Sequence, residues 1–249
     1  VSNFRKAAEE THVNRIVYLG GLGDIRSDLS SHLRSRAEVA AELRRGKIPV
    51  TVLRAAVIVG SGSASYEIIQ HLVRTSNVLL VPPWAKNRCQ PIAVRDVIKY
   101  LVGVLEKPET AGKSFDIGGR DILTYEEMLK TLGELLQKKM VCISVPFSNI
   151  PFYAYITSLI TPVPAAITEC LMEGLKNEVI CQEEGIKNLL PFKPLSYKEA
   201  IVKAMSREDQ DNVYTRWSDA YPPAHELALK LKELRRDPAY KASYSLSTS

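Results

Sequence analysis

Two apolar runs, each released by glycine and followed by a helix-length segment, constrain this chain more than any other feature. Ile16-Val17-Tyr18-Leu19 breaks at Gly20-Gly21-Leu22-Gly23. A polar loop then leads to Ser31-His32-Leu33-Arg34-Ser35-Arg36 and an apolar-periodic segment from Ala37. The second run, Val50 to Val59, stops at Gly60-Ser61-Gly62-Ser63. Continuous rather than alternating apolar strands belong to sheets covered on both faces. Strands alternating with helices over short connections make a parallel sheet. In such a sheet ligands sit outside the carboxyl ends of the strands, so the Gly20–Arg36 loop and a helix start carrying His32 and Arg36 face a ligand.

The same reading predicts a helix over 2–12, a strand over 15–20, a helix whose periodic part runs over 36–46, and a single strand over 50–59. Beyond these it predicts a helix over 64–75, a short strand from Val78 to Val81 closed by Pro82-Pro83, a helix from about Asp96 to Leu105, and a strand from Ser114 to Ile117. Thr124-Tyr125-Glu126-Glu127 and Ser196-Tyr197-Lys198-Glu199 both have the hydroxyl-x-x-glutamate spacing of a capping box. They open helices expected to reach about Gln137 and Met205. Val141–Val145 reads as a strand and 165–176 as a helix. Within the tail from Arg207, residues 224–235 read as a helix, and Trp217 and Tyr221 beside Pro222-Pro223 as a docking segment.

Composition excludes several classes. The 249 residues are 45% hydrophobic and 24% charged, ordinary for a globular protein. The net charge of +5 comes from interleaved charges rather than a basic stripe, which argues against nucleic-acid binding. The cysteines at 89, 142, 170 and 181 form no CxxC and no zinc-site spacing, so reduced thiols in a cytoplasmic protein are expected. Met140 to Thr168 holds no charged residue. Pro146, Pro151, Pro162 and Pro164 cut that run into pieces shorter than the roughly 20 residues of a membrane span. It reads as a proline-punctuated wall or interface, with a membrane-surface role as the lesser alternative. The chain begins at Val1 inside an amphipathic pattern, Phe4, Ala7 and Ala8, of the kind that follows an earlier strand.

With the elements placed, the chain resembles the short-chain dehydrogenase/reductase superfamily, in its atypical NmrA-like and nucleoside-diphosphate-sugar-epimerase-like branch. Ordered segments over residues 1–145 carry the resemblance. Arg15–Gly23 resembles the strand that ends in the active-site serine loop. Ser31–Glu38 sits where the family has its tyrosine-x-x-x-lysine pair. Leu53–Gly60 resembles the strand that covers the nicotinamide, Gln90–Val97 the return from the substrate lobe, and Phe115–Gly119 with Leu123–Glu127 the last core strand and its helix.

The resemblance implies an α/β fold: the later half of a Rossmann-type parallel sheet with a small mixed α/β substrate lobe. Residues 1–145 would form a partial NAD(P)-binding domain, with 61–92 contributing to the lobe, 146–205 the rest of the lobe, and 206–249 a tail or linker. The family's glycine fingerprint would lie upstream of Val1. The resemblance also implies an NAD(P) cofactor, NADP slightly preferred, and a small carbonyl or alcohol substrate. The cofactor would contact Gly20, Gly21, Leu22, His32, Arg36, Ala55, Ala56 and Val57, and the substrate Arg88 and Gln90. His32 and Arg36 would be the catalytic pair, standing at the tyrosine and lysine positions, with Gly20 and Gly21 at the serine positions. Histidine can act as acid or base near neutral pH; arginine can hold a ribose or phosphate but takes no part in a proton relay. A non-catalytic dinucleotide-sensing or scaffold protein is the alternative that these substitutions favour.

The residues also carry plainer expectations. Arg54, inside an apolar strand, needs an acid such as Asp96. Gly60–Ser63 reads as a connection rather than a phosphate cradle. Phe152, Tyr153 and Tyr155 read as core packing rather than pocket lining.

Overall fold

The computed structural model describes residues 1–23, 29–183 and 185–209. Helix α1 (Ser2–Glu10) lays Ala8 on Ile16, Leu43, Val50 and Val52. Strand β1 (Ile16–Gly21) leads to α2 (Ser31–Arg44). This helix starts five residues before the stretch with apolar period, because the Ser30 hydroxyl accepts from the Leu33 N–H at 3.3 Å and caps it. Strand β2 (Val50–Ala55) follows.

The strand expected to run unbroken to Val59 divides at Ala56-Val57. Its last two residues form β3 (Ile58–Val59). The chain changes partners there, and the Ile92 N–H donates to the Val57 carbonyl at 2.9 Å. Gly62, at φ +74°, turns the chain into α3 (Ala64–Thr75), whose N-cap is Ser63. Gly60–Ser63 is thus a capped turn, tied to the last helix by the Ser61 hydroxyl on the Ala204 carbonyl at 2.8 Å.

Next come β4 (Val78–Val81), β5 (Arg88–Cys89), β6 (Ile92–Ala93), α4 (Val94–Leu105), β7 (Ser114–Ile117), β8 (Leu123–Thr124) and α5 (Tyr125–Leu135). The Thr124 capping box closes as its spacing requires. The Thr124 hydroxyl accepts from the Glu127 N–H at 3.1 Å, and the Glu127 carboxylate accepts from the Thr124 N–H at 2.7 Å. Strand β9 (Val141–Ser144), α6 (Ile150–Ile160), α7 (Ala165–Gly174), α8 (Gly185–Leu189) and α9 (Tyr197–Asp209) complete the described chain. Ser196 and Glu199 form the second capping box, at 3.2 and 2.7 Å. Trp217, Tyr221 and the segment 224–235 lie outside the described residues.

The architecture is α/β. Strands β1, β2 and β7 form a parallel sheet in the order β1-β2-β7, with Ile16 level with Val50, Gly21 with Ala55, and Ala55 with Ile117. Parallel β3–β6 continues past the break, and parallel β4–β9 stands apart. Coverage of both sheet faces holds for β2, where Val50, Thr51, Val52 and Leu53 are buried. It is partial for β1, whose Val17, Tyr18 and Leu19 keep some exposure at the sheet's edge among the described strands.

Arg54 does pair with an acid, but with Asp116 on β7 rather than Asp96. Its guanidinium reaches the buried Asp116 Oδ1 at 2.7 Å, and Asp116 Oδ2 accepts from the Gln182 N–H at 3.0 Å. The register explains the choice, since Arg54 lies directly across from Asp116. Asp96 is taken by Lys99 at 2.9 Å and the Leu195 N–H at 2.7 Å.

Helix α6 lies in the segment where the sequence signals are weakest. Asn149 caps it, accepting from the Phe152 N–H at 2.9 Å, and Pro151 occupies the first turn, where its missing N–H costs nothing. Among the described residues no helix is long and apolar enough to cross a membrane.

Candidate functional site

A cavity of about 560 Å³ opens at the carboxyl ends of β1 and β2, the edge where open α/β sheets bind ligands. One wall is Leu19–Leu22 and Ala55–Ile58, with His32, Leu33 and Arg36 of α2 above them. All eight positions assigned above to the cofactor line this cavity. His32 and Arg36, four residues apart, fall on the same helix face.

The glycines have a packing reason the sequence did not disclose. A Cβ on Gly21 would lie 2.7 Å from Leu33 Cδ2, and one on Gly20 3.2 Å from Tyr18 Cε1. The bare Cα of Gly21 lets Leu33 of α2, next to His32, sit close against the end of β1, while that of Gly20 makes room for the Tyr18 ring. The half-buried His32 has its pKa lowered from 6.5, first by burial and second by the Arg36 guanidinium. It is therefore the neutral imidazole at pH 7, able to accept a proton or to donate from its N–H.

The opposite wall is almost wholly apolar. It comprises Ile68, Ile69 and Leu72 of α3, Leu79 to Pro82, Trp84, Leu171 and Met172 of α7, and Val179. Its polar atoms are few. Tyr153 donates to the Phe147 carbonyl at 3.3 Å. The Trp84 indole N–H is buried with no hydrogen-bond partner among the described residues. Tyr125 shares a hydrogen bond with Cys89, and burial lifts both: the thiol to about 11, the phenol well above its usual 10. Neither supplies an ionised group near pH 7.

The two residues assigned to the substrate stand elsewhere. Arg88 is exposed and grips Glu178 at 2.8 and 3.1 Å. Gln90 is buried with both ends engaged, donating to the Gly119 carbonyl at 2.8 Å and accepting from the Cys181 N–H at 3.1 Å. Neither lines the cavity. Tyr153, expected in the core, does line it, whereas Phe152 and Tyr155 point outward and are exposed. Sequence reasoning missed Trp84, Tyr125 and the α3 and α7 residues. The elements themselves were legible, as the helices over 64–75 and 165–176, the turn at Pro82-Pro83 and the capping box at Thr124, but nothing in the sequence showed that they border a cavity. Among the described residues no group of His, Cys, Asp and Glu is arranged to hold a metal ion.

The chain has a Rossmann-type α/β fold, similar to that of solved NAD(P)-dependent epimerases and reductases. Solved structures with this fold include a nucleoside-diphosphate-sugar epimerase from Staphylococcus aureus, with TM-score 0.62 and 16% identity over 81% of this chain and 68% of that one. An NADPH-dependent quinone oxidoreductase from Escherichia coli has TM-score 0.66 and 14% identity over 81% and 71%. Citrobacter triphenylmethane reductase, solved with NADP(H), has TM-score 0.63 and 19% identity over 82% and 69%. Two curated relatives are the mitochondrial NADH dehydrogenase [ubiquinone] 1 alpha subcomplex subunit 9 of Arabidopsis thaliana and of Dictyostelium discoideum. They are 22% and 27% identical over 57% and 49% of this chain. The chain spans about a third of those relatives' length, 35% and 34%. No family model matches the chain.

Proposed function

We propose that this chain supplies the nicotinamide and substrate side of an NAD(P)-dependent oxidoreductase site for a small, largely apolar carbonyl or alcohol. One observation carries the reading. Gly20, Gly21, Leu22, His32, Arg36 and Ala55–Val57 come from three separate elements and converge on one wall of one cavity at the carboxyl end of a parallel sheet. The residues suit the cofactor's chemistry. Ala55, Ala56, Gly20 and Gly21 leave a slot without bulky side chains for a planar ring, and His32 and Arg36 present donors for ribose hydroxyls or phosphate. When bound, the dinucleotide supplies or accepts the hydride.

Each residue then has a role that its position supports. Arg36, fixed as a cation, holds the ribose. His32, neutral at pH 7, would take the proton from an alcohol as its hydride passes to the dinucleotide; in the reverse direction the imidazolium form of His32 would return that proton to the carbonyl oxygen. The apolar far wall excludes water and selects the substrate by shape. We keep NADP as the slightly preferred form and assign 146–205 with 61–92 to the substrate lobe. The test is NAD(P)H binding and consumption across a panel of apolar carbonyls. Turnover that falls roughly a hundredfold in His32→Ala, with dinucleotide affinity retained, supports the reading. Tight binding with no consumption refutes the enzymatic part, and absence of binding refutes the whole.

A second reading is favoured by the names of the curated relatives, which are subunits of a mitochondrial NADH dehydrogenase. In it the chain is a non-catalytic, dinucleotide-dependent scaffold. The glycines at the serine positions, which remove the hydroxyl that polarises a carbonyl, agree with it. It also predicts a mitochondrial rather than cytoplasmic location, which imaging of the tagged full chain decides.

A further inference from the structure

Helix α6 is apolar on both sides. Ile150, Tyr153, Ala154 and Thr157 face inward. Phe152, Tyr155, Ile156, Leu159 and Ile160 form the opposite face, with Tyr155 58% and Leu159 64% exposed. A helix apolar all round is normally buried, and this one is not. Its outward face continues onto the β4–β9 sheet. There the cross-strand pairs Val78–Val141 and Leu80–Ile143 stand outward and exposed, while Leu79 and Cys142 pack into the core. Phe147 bridges the two surfaces, its ring 5.2 Å from that of Phe152.

The 29 residues from Met140 to Thr168 carry no charge in a chain that is 24% charged. The strand end of the face is bounded by exposed Arg74 and Lys139, and Lys138 is tied to the Val73 carbonyl at 3.1 Å. Contiguous exposed apolar surface of this kind marks a protein or membrane contact.

We propose that this face docks on the surface of an anionic lipid bilayer. Helix α6 lies in the plane of the interface, with its outward side at the acyl boundary and Arg74 and Lys139 against the headgroups. At 11 residues α6 cannot span a bilayer, so the association is one-sided and reversible. A protein partner would find no charge inside the face to set register, whereas a lipid surface needs none. The basic end supplies the attraction that interfacial helices draw from anionic lipid. Tyr153 and Thr157 on the inner side of α6, and Leu80 beside it, line the cavity. Docking would therefore place the cavity next to the membrane.

The experiment is co-sedimentation of the full 249-residue chain with phosphatidylcholine vesicles, with and without phosphatidylserine. The chain is expected to pellet with the serine-containing vesicles, less with the neutral ones, and less as salt rises. Leu159→Asp and Ile156→Asp each lower partitioning roughly tenfold without lowering the melting temperature, because both side chains are exposed. Lys139→Glu weakens binding only to the anionic vesicles. Val202→Asp, an exposed apolar residue on α9, changes nothing. No pelleting with either vesicle overturns the proposal, as does partitioning that Leu159→Asp leaves intact. A dimer in sedimentation equilibrium that Leu159→Asp dissolves also overturns it, by assigning the face to a second copy of the chain.

Discussion

Replacing Gly21 by alanine tests the link between close packing at the end of β1 and the position of His32. Gly21 is outside the left-handed region, so alanine is compatible with its backbone. The added Cβ would stand 2.7 Å from Leu33 Cδ2. Leu33 is buried, so its side chain has little free space to move into. Either α2 shifts outward or Leu33 leaves its rotamer. Overpacking of this kind costs about 1–3 kcal/mol. Loss of glycine's freedom in the unfolded chain returns roughly 0.4–1 kcal/mol. The net is about 1–2 kcal/mol, or a few degrees in melting temperature. Because His32 is adjacent to Leu33 on α2, dinucleotide affinity should fall in the same variant. Leu33→Ala alone opens a void and costs about 2–3 kcal/mol. In the double variant the new methyl fills part of that void, so the pair should be more stable than the sum of the singles by about 1 kcal/mol. Urea titrations of the four proteins and NADPH titration of each measure both effects. Strict additivity, or a Gly21→Ala protein as stable as wild type, would refute the reasoning.

Three further outcomes follow from the geometry. Arg54→Met strands the buried Asp116 carboxylate and should cost about 3 kcal/mol by urea denaturation; Asp116→Asn, which can still accept from the Gln182 N–H, should cost less. Gly119→Ala places a Cβ 2.1 Å from the Pro91 carbonyl oxygen, a backbone contact that cannot yield cheaply, and should cost about 3 kcal/mol. Gly174→Ala, with open space around it, should be neutral or stabilising. The lowered pKa of His32 sets the sign of its pH effect: the unfolded chain binds that proton more readily. The stability contributed by neutral His32 is therefore full above pH 6.5 and is lost as the pH falls through the lower, folded value. The same titration places the acidic limb of alcohol oxidation, in which neutral His32 is the base, below pH 6.5. In His32→Gln the stability difference between pH 7.5 and 5 should shrink and the limb disappear. An unchanged pH dependence would remove His32 from both roles.

The near wall of the cavity was legible because it depends on local rules. Apolar runs mark strands, glycine marks their ends, and ligands gather where parallel strands end. Those three steps lead to Gly20–Leu22 without any knowledge of packing, whereas Ala55–Val57, inside a run read as one strand to Val59, followed only from the family resemblance. The four-residue spacing of His32 and Arg36 puts them side by side on whichever helix follows. The far wall has no such rule. Ile68, Ile69 and Leu72 look like ordinary core positions of α3, and that they border a cavity depends on where α6 and α7 come to rest. The partner of Arg54 was missed for a similar reason. A buried arginine announces that an acid is near, but only the β2–β7 register selects Asp116 over Asp96. The resemblance placed Gln90 at the substrate cleft; the packing shows it as a buried clamp that Gly118-Gly119 makes room for, since a Cβ on Gly118 would stand 2.6 Å from Gln90 Cδ.

Helix α6 shows most directly how a sequence can be informative and still be misread. Periodicity detects a helix by contrast between its faces, and α6 has none, because its inward residues line the cavity wall and its outward ones are just as apolar. Absence of charge from Met140 to Thr168 therefore suggested a wall or interface and hid the helix. With the helix placed, that absence acquires a direction. An element that needed only to pack against α3 and α7 would carry polar residues on its other side, as α5 does with Glu126 and Lys130. On the docking proposal that face meets a lipid surface, and an aspartate introduced at Leu159 or Ile156 is the change that reports on it.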